Sequence, residues 1–513
     1  MGRSVTVGLG AAGAAGSIAA VLAAAASAAP APAASGGSST FTPDYYISPS
    51  GSDSNNGTSS STPWKTFNKA FTTMAAGTSL GLMDGTYSVA AGTGYISYLG
   101  TNSNQAPSGN SISDQTVVRA INPGSAKVTG GLFVGRSDRK DSYITFQGIT
   151  FLDGGELYNT SYVTVKDCGF MGAGFHIGTN DHENGNTRNL IEDVWITATG
   201  QRLVSSNYRS DENVWRRVLV RGDGCGTPEC TGSGNPNVGL TCYDSRDCSF
   251  QNVMVIDRLL LTGDEGYASF ATAQHTSGSH LLGRNEWLGC MVINGPDQGF
   301  YFEADNVIAS DPTWTLENCV AWVTDGDGAN LGNTSSQRVV IRNLTVGHSG
   351  GGGDGLRVDP AVSAGSVTNV LSLSAGRYGI NSSITPTYCN VYGAGSAAYN
   401  QTTCTTGAYT YDAETDGSLE YVPRIEAGSN LDGIGASGAD IGANIVNRYG
   451  ADGTRYGDSG YHDLTSTALW PWPNQTRIKQ ELGPDLSITR GFCAVGKTLT
   501  SYVWEYLGNA SPY

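Results

Sequence analysis

The sequence predicts an all-β fold, a right-handed parallel β-helix in which short strands stack coil upon coil. The composition and an internal repeat both lead to this prediction. The chain has 513 residues, of which 71 are glycine, and only 14% are charged. Such a composition favours tight turns and backbone pairing over helices with charged surfaces.

One pattern recurs between residues 142 and 373: an apolar residue, any residue, a corner residue and a second apolar residue. The last apolar position of each copy falls 19 to 37 residues after its predecessor. Each copy predicts two short strands that meet at a corner, and such a coil buries its apolar side only when its neighbours stack on it. The nine copies are Phe146–Ile149, Val165–Cys168, Ile191–Val194, Trp215–Val218, Phe250–Val253, Trp287–Cys290, Leu316–Cys319, Ile341–Leu344 and Val367–Val370.

The corner residues are rich in asparagine, which accepts left-handed backbone angles. We expect the asparagines to stack as an amide ladder, and Cys168, Cys290 and Cys319 to point into the interior as small apolar groups. The corners are Gly148, Asp167, Asp193, Arg217, Asn252, Gly289, Asn318, Asn343 and Asn369.

The N-terminus has the pattern of a signal peptide over residues 1–28, with a small-residue cleavage site, followed by a Pro/Ala/Ser/Gly linker over 29–43. A retained membrane anchor is the alternative. No later segment has the roughly 20 uninterrupted apolar residues of a spanning helix. The sequence therefore predicts a secreted, soluble protein that is not bound to a membrane.

The predicted β-helix comprises residues 44–445, and its first and last coils must be capped by other segments because each exposes an apolar interior. Trp64, Phe67, Phe71 and Met74 lie at helical spacing and predict a short capping helix with Thr62 as its N-cap. Residues 446–513 are expected to cap the last coil, with sugar binding as the alternative.

The ten cysteines of an exported chain predict disulfides. Close pairs in loops are plausible local bridges, although the sequence does not fix their connectivity. These pairs are Cys225 with Cys230, Cys242 with Cys248, and Cys389 with Cys404.

The formal net charge of −16 argues against nucleic-acid binding, because phosphate contacts need a basic patch. We expect a monomer whose partner is a polysaccharide substrate.

The segments Asp44–Thr58, Pro63–Phe67 and Met83–Tyr87, with the closing Ala439–Ala443, resemble the end signatures of secreted right-handed β-helix proteins. That group includes the calcium-dependent pectate lyases of family nine and the alginate or chondroitin lyases of family six. The resemblance implies the fold and a polysaccharide substrate.

Residues Asn318–Gly328 are similar to a family-nine string whose acidic residues bind calcium. The resemblance implies Ca²⁺ at Asp325, with Asp327 compensating for Gly326, and with Asp297 as a further ligand. The preceding Asp297–Glu303 resembles the stretch that carries the proton-abstracting lysine, and Glu303 stands in its place.

Acidic residues recur just beyond the paired strands, and equivalent positions on a solenoid would stack into a stripe. Asp297, Asp325 and Asp354 belong to three successive coils, so their carboxylates could converge. The stripe comprises Asp153, Asp223, Asp257, Asp264, Glu265, Asp297, Asp325, Asp327 and Asp354.

The polar segment Gly263–Glu286 lies beside the stripe and offers Tyr267, His275, His280 and Arg284. Arg284 and His275, together with Glu303, are the candidate catalytic residues. Arg284 could instead bind a substrate carboxylate.

Three functions fit this pattern. The first is a polysaccharide lyase that cleaves an acidic glycan by β-elimination. The second is an inverting glycoside hydrolase that uses Glu303 with Asp325 or Asp327. The third is a surface or matrix protein that binds glycan without cleaving it.

Overall fold

A computed structural model gives the architecture. It describes residues 41–96, 105–135, 139–178, 185–198, 203–222, 238–257, 268–273, 283–295, 297–303, 313–332, 337–482, 491–494 and 496–513. The predicted signal peptide, most of the linker, Cys225, Cys230 and His275 lie outside these residues.

The smaller of the two main sheets, sheet 1, takes one strand from each successive coil, and all its neighbours pair in parallel. Parallel pairing of consecutive coils confirms the predicted right-handed parallel β-helix. The strands of sheet 1 are Leu132–Val134, Gly155–Leu157, Phe175–Ile177, Leu203–Tyr208, Val238–Tyr243, Ala268–Ala273, Gln298–Phe302, Ala329–Leu331, Leu356–Val358, Tyr378–Ser382 and Ala397–Gln401.

The larger sheet turns a corner along its length, so that it forms two faces, sheet 2 before the corner and sheet 3 after it. The strands of sheet 2 are Tyr45–Ile47, Ser79–Leu82, Thr116–Ala120, Ile144–Gln147, Thr164–Lys166, Leu190–Glu192, Val214–Arg216, Cys248–Gln251 and Asn285–Leu288. The strands of sheet 3 are Gly85–Tyr87, Ala126–Val128, Thr150–Phe151, Gly169–Phe170, Trp195–Thr197, Leu219–Arg221, Met254–Ile256, Met291–Gly295 and Ala408–Tyr409. Four strands continue through the corner: Thr313–Thr324, Arg338–Ser349, Ala364–Leu373 and Pro386–Tyr392.

All nine predicted corner residues have a positive φ, between 49° at Asn252 and 76° at Gly148. The repeat therefore located the corners correctly. The expected amide ladder is much shorter than predicted. Asn369 donates to Asn343 at 2.8 Å, whereas Asn318 and Asn252 bond to the backbone of the C-terminal tail.

The interior holds one column of apolar side chains, in which Phe250 and Trp287 stack with ring centroids 5.3 Å apart. Cys168, Cys290 and Cys319 are fully buried in it, as predicted. Near its first coils lies the helix Phe67–Thr73.

This helix exists as predicted but begins later, because Thr66 and not Thr62 is its N-cap. Asp53 accepts hydrogen bonds from the backbone N–H groups of Lys65 and Thr66, both at 2.9 Å. These bonds hold the preceding residues extended, and Trp64 forms a parallel bridge with Ile47.

The C-terminal tail lies along the flank of the coils, a different placement from the cap that the sequence favoured. Ala436 donates its N–H to Asn369 at 2.8 Å, Asn444 to Asn318 at 2.5 Å and Tyr449 to Asn252 at 2.7 Å. Apolar tail residues, among them Trp470, Trp472 and Trp504, bury the outward side chains of sheet 3. The remaining elements include the helices Gln475–Leu482 and Leu499–Trp504, the antiparallel pair Asn447–Tyr449 with Leu464–Ala468, and the parallel pair Asp141–Ser142 with Thr160–Ser161.

A buried ion cluster fastens this tail. Glu192 accepts from Arg216 at 2.9 Å and from the N–H of Gly453 at 2.9 Å. Arg217 bonds Asp193 at 2.6 Å and Asp452 at 2.9 Å. Burial alone would raise the pKa of Glu192, but the cations of Arg217 and Lys166 hold that pKa at about 2.

Of the predicted disulfides, Cys389–Cys404 is present. Cys242 and Cys248 are instead buried free thiols. No helix in the described part of the chain is long and apolar enough to cross a membrane.

Candidate functional site

Sheet 1 presents a continuous polar surface over its last coils. Along each strand, residues alternate between the core and the outside: Phe300 and Phe302 are buried while Tyr301 between them is half-buried, and Arg357 stands in the same way between Leu356 and Val358. The register places the outward residues of successive coils in one column, which consists of Tyr301, Asn330, Arg357, Asn381 and Asn400.

A second column lies at the start of the same strands. The Gly299 N–H bonds the Asp327 carbonyl at 2.9 Å, and the Gly328 N–H bonds the Asp354 carbonyl at 2.9 Å. These bonds place Asp327 and Asp354 at equivalent positions on adjacent coils. We call the two columns, with Gln298, Glu303, Asp359 and Tyr378, the sheet-1 face.

Asp354 is fully buried and its carboxylate is saturated with hydrogen bonds. Arg377 donates to both of its oxygens at 2.7 Å. The Tyr378 N–H donates at 3.2 Å and Asn381 at 2.8 Å. A carboxylate with four donors holds its neighbours in place and has no oxygen left for a substrate.

Asp327 differs from Asp354 because one of its carboxylate oxygens accepts no hydrogen bond from the described residues. Its Oδ1 accepts the Asp354 N–H at 2.6 Å, while its Oδ2 has no hydrogen bond among the described residues. Burial raises the pKa of Asp327, more than that hydrogen bond lowers it, and the negative charge of Asp354 raises it further. A buried carboxyl with a raised pKa and one unbonded oxygen is suited to proton transfer.

Arg357 supplies a positive charge beside Asp327. Its closest ionic partner in the described part of the chain is Asp359, and the distance from Nη2 to the carboxylate is 3.9 Å. Its side chain is 36% exposed, and it lowers the pKa of Asp327 by its charge. A guanidinium so loosely held can form a bidentate pair with a carboxylate of a ligand.

The turn Gly350–Gly353 forms the edge of the face beside Asp354. A Cβ at Gly350 would lie 2.0 Å from the Asp325 carbonyl oxygen, and one at Gly353 would lie 2.3 Å from that of Gly326. Only glycine therefore allows these turns to stack closely. A Cβ at Gly351 or Gly352 would have no atom within 4 Å, so the face is open to solvent at this edge.

The predicted acidic stripe is only partly real. Gly326 and not Asp325 stacks on Asp297, since its N–H donates to the Asp297 carbonyl at 2.8 Å. Asp325 is exposed and lies off the column that Asp327 and Asp354 share. Turns of unequal length therefore shift the backbone offsets of Asp297, Asp325 and Asp354 from coil to coil, and the convergence of their carboxylates stays a prediction.

The three predicted calcium ligands Asp297, Asp325 and Asp327 are all among the described residues. No group of three His, Cys, Asp or Glu side chains within the described ranges is arranged to hold a metal ion. Within these ranges Asp297, Asp325 and Asp327 therefore do not form a ready-made cation site.

Two of the three predicted catalytic residues lie in the described ranges. Glu303 lies at the edge of the sheet-1 face and accepts the Tyr301 hydroxyl at 2.8 Å. Arg284 precedes the sheet-2 strand Asn285–Leu288, bonds Asp247 at 2.8 Å and also donates to Tyr456 of the tail. Arg284 thus helps to hold the tail, on a different sheet from Glu303.

Arg357, Arg377 and Asn381 are the residues that sequence reasoning missed. The sequence gives little indication of these residues, because the repeat pattern covers only the corner between sheets 2 and 3. It does not show which residues of sheet 1 lie side by side. The scarcity of cations could have pointed to them: between residues 285 and 423 the only Lys or Arg residues are Arg338, Arg342, Arg357 and Arg377.

Comparison with known protein families and with curated protein sequences gives no match. Among solved structures, the chain is similar to a pectate lyase at 16% identity and a TM-score of 0.49, over 78% of this chain and 95% of that one. It is similar to a rhamnogalacturonan lyase at 16% identity and a TM-score of 0.37, over 64% of this chain and 82% of that one. It is also similar to a mannuronic acid specific family 6 lyase at 12% identity and a TM-score of 0.35, over 72% and 83% of the two chains. At these identities the likeness concerns the fold alone.

Proposed function

We propose that this protein cleaves a uronate-containing polysaccharide on the sheet-1 face by β-elimination. The observation that carries the proposal is that the guanidinium of Arg357, which is 36% exposed and has one ionic contact at 3.9 Å in the described ranges, acts electrostatically on the buried carboxyl of Asp327. Asn330, which is half-buried on the preceding coil, lies beside Arg357 and can bind a sugar hydroxyl.

In the proposed reaction, Arg357 binds the carboxylate of the uronate. Its charge stabilises the negative charge that develops when the proton on C5 leaves. Asp327, in its ionised form, removes that proton, and the electrons of the C5–H bond form a C4=C5 double bond. The C4–O4 bond breaks, and the protonated Asp327 then gives its proton to O4, so one carboxyl serves as base and acid.

Asp354 acts through Asp327 in this scheme. Arg377 holds Asp354 in place through two hydrogen bonds of 2.7 Å, and the Asp354 N–H fixes the position of the Asp327 carboxyl at 2.6 Å. The raised pKa of Asp327 makes it a stronger base than an ordinary aspartate.

An inverting hydrolase is the second candidate, and the same raised pKa supports it. A protonated Asp327 would donate its proton to the glycosidic oxygen, while Glu303 would activate water from across the face. The two reactions differ in their products. The lyase gives an unsaturated sugar that absorbs ultraviolet light, whereas the hydrolase gives a new reducing end without that absorbance.

We also propose that the protein acts outside the cell. The signal-peptide pattern of residues 1–28 and the disulfide Cys389–Cys404 support this proposal. Calcium dependence stays a prediction that rests on the resemblance, and chelation tests it.

The experiment is a screen of pectate, alginate, chondroitin, hyaluronan and neutral glycans, each with calcium chloride and with EDTA. Ultraviolet absorbance and reducing ends are measured in parallel. We expect an absorbing product from at least one uronate polymer and none from the neutral glycans. Reducing ends without absorbance would favour the hydrolase. Cleavage of no uronate polymer would refute the proposal.

A further inference from the structure

Positive charge is scarce along the sheet-1 face. Arg338 and Arg342 precede the corner at Asn343 and so belong to sheet 2. Arg377 is committed to Asp354 through two hydrogen bonds of 2.7 Å. Because residues 285–423 contain no other Lys or Arg, Arg357 is the one loosely paired Lys or Arg that these coils place on the sheet-1 face.

The neighbours of Arg357 along the column are uncharged. Asn330 precedes it and donates to Gln298 at 3.0 Å. Asn381 and Asn400 follow it, and Asn400 donates to Asn381 at 3.0 Å. Amides bind hydroxyl groups well but cannot neutralise a carboxylate.

The remaining charges of the face are negative. Asp327 lies in the column next to Arg357, Asp359 follows Arg357 on the same coil, and Glu303 lies beside Tyr301. The charge of the fourth acid, the fully buried Asp354, is balanced by Arg377. Successive coils are about 4.8 Å apart, which is close to the length of one sugar in an extended glycan. A polymer with a carboxylate on every sugar would therefore place charges over Asn330 and Asn381, beside these acids.

We infer that the substrate is a heteroglycan in which the uronate bound by Arg357 is separated from other uronates by uncharged sugars. The inference rests on the proposed function and deepens it, because it names the class of acidic glycan. Repulsion by the acidic face disfavours homopolymers of uronic acid, while the half-buried amide of Asn330 beside Arg357 binds a hydroxyl of a neutral sugar.

The test compares hyaluronan, in which uronate and neutral sugars alternate, with polygalacturonate and alginate, in which every sugar is charged. Both kcat/KM and equilibrium binding are measured on the full chain, with calcium chloride and with EDTA. We expect hyaluronan to be preferred by about tenfold or more in each condition. The preference should shrink as sodium chloride is added, because salt screens exposed charges, whereas a steric preference would persist.

A charge variant tests the cause. Asn330→Lys adds a cation beside Arg357 and should strengthen binding of polygalacturonate by about two- to fivefold. Asn68→Lys makes the same change on the exposed side of the helix Phe67–Thr73 and should leave binding unchanged. Equal or better binding and cleavage of the homopolymers would overturn the inference and leave the proposed function standing. If no uronate polymer is cleaved, the proposed function fails, and the binding comparison still decides the inference.

Discussion

Replacement of Arg357 by methionine removes the charge on which the proposed function depends while keeping a long apolar side chain. A hydrogen bond to a charged group contributes about 1.5–3 kcal/mol. Since 1.36 kcal/mol corresponds to a factor of about ten, Arg357→Met should lower kcat/KM on a uronate polymer by about 10- to 150-fold. The free energy of unfolding should change little, because the only ionic contact of Arg357 in the described ranges is the 3.9 Å pair with Asp359.

The assay is the initial rate of ultraviolet absorbance on whichever uronate polymer the wild type cleaves. Arg357→Lys should recover part of the loss, because it keeps the charge and loses the planar fork. Arg338→Met is the matched control, since Arg338 is exposed at the start of a sheet-2 strand. A wild-type kcat/KM for Arg357→Met would refute the assignment of Arg357 as the carboxylate-binding residue.

Three further predictions test other parts of the account. Asp327→Asn should lower kcat by about 10²- to 10⁴-fold. Because the pKa of Asp327 is raised, the rate of the wild-type enzyme should change with pH above the range in which an ordinary aspartate titrates: it should increase if the reaction is elimination and decrease if it is hydrolysis. A rate that does not change with pH in that range contradicts both mechanisms. Glu192→Gln should cost about 3–5 kcal/mol of unfolding free energy at neutral pH, because it leaves the fully buried Arg216 without the carboxylate that it pairs with. Since the folded pKa of Glu192 is about 2, below its ordinary value of 4.5, this stabilisation is present above that ordinary value and should be lost as the pH falls toward 2 in denaturant titrations. Trp504→Ala should cost about 3–5 kcal/mol, because Trp504 is fully buried in the apolar cluster that the tail forms with sheet 3. An unchanged melting curve would show that this cluster does not stabilise the protein.

The fold could be predicted because its signal is local and repeated. Each corner joins an apolar residue to a second apolar residue over a fixed offset, and this pattern located all nine left-handed corners. Burial of Cys168, Cys290 and Cys319 follows from the same register.

The flanking tail could not be predicted, because it depends on contacts between distant parts of the chain. Asn252 and Asn318 each suit an amide ladder by sequence, but both bond to tail backbone about 200 and 126 residues away. Whether a corner asparagine bonds to the next asparagine or to the tail depends on which segment packs against that corner. The local sequence pattern does not contain this information.

The candidate site was predicted only in part. Asp327 and Glu303 were identified and lie on the sheet-1 face. Asp325 and Arg284 were also identified, but lie off the column and on sheet 2 respectively. Loops of different length separate sheet 3 from sheet 1 in each coil, so positions that look equivalent in sequence are shifted in space. Arg357 went unrecognised because a lone arginine in a strand carries no motif.

The central claim is that a uronate binds to Arg357 on the outer face of sheet 1. A crystal structure of the Asp327→Asn variant, soaked with an oligosaccharide of the preferred polymer, tests it most directly. We predict a sugar carboxylate paired with the guanidinium of Arg357 and a neighbouring sugar bound by the amide of Asn330. An oligosaccharide bound instead at Arg284 and Tyr456, with the sheet-1 face empty, would contradict the account.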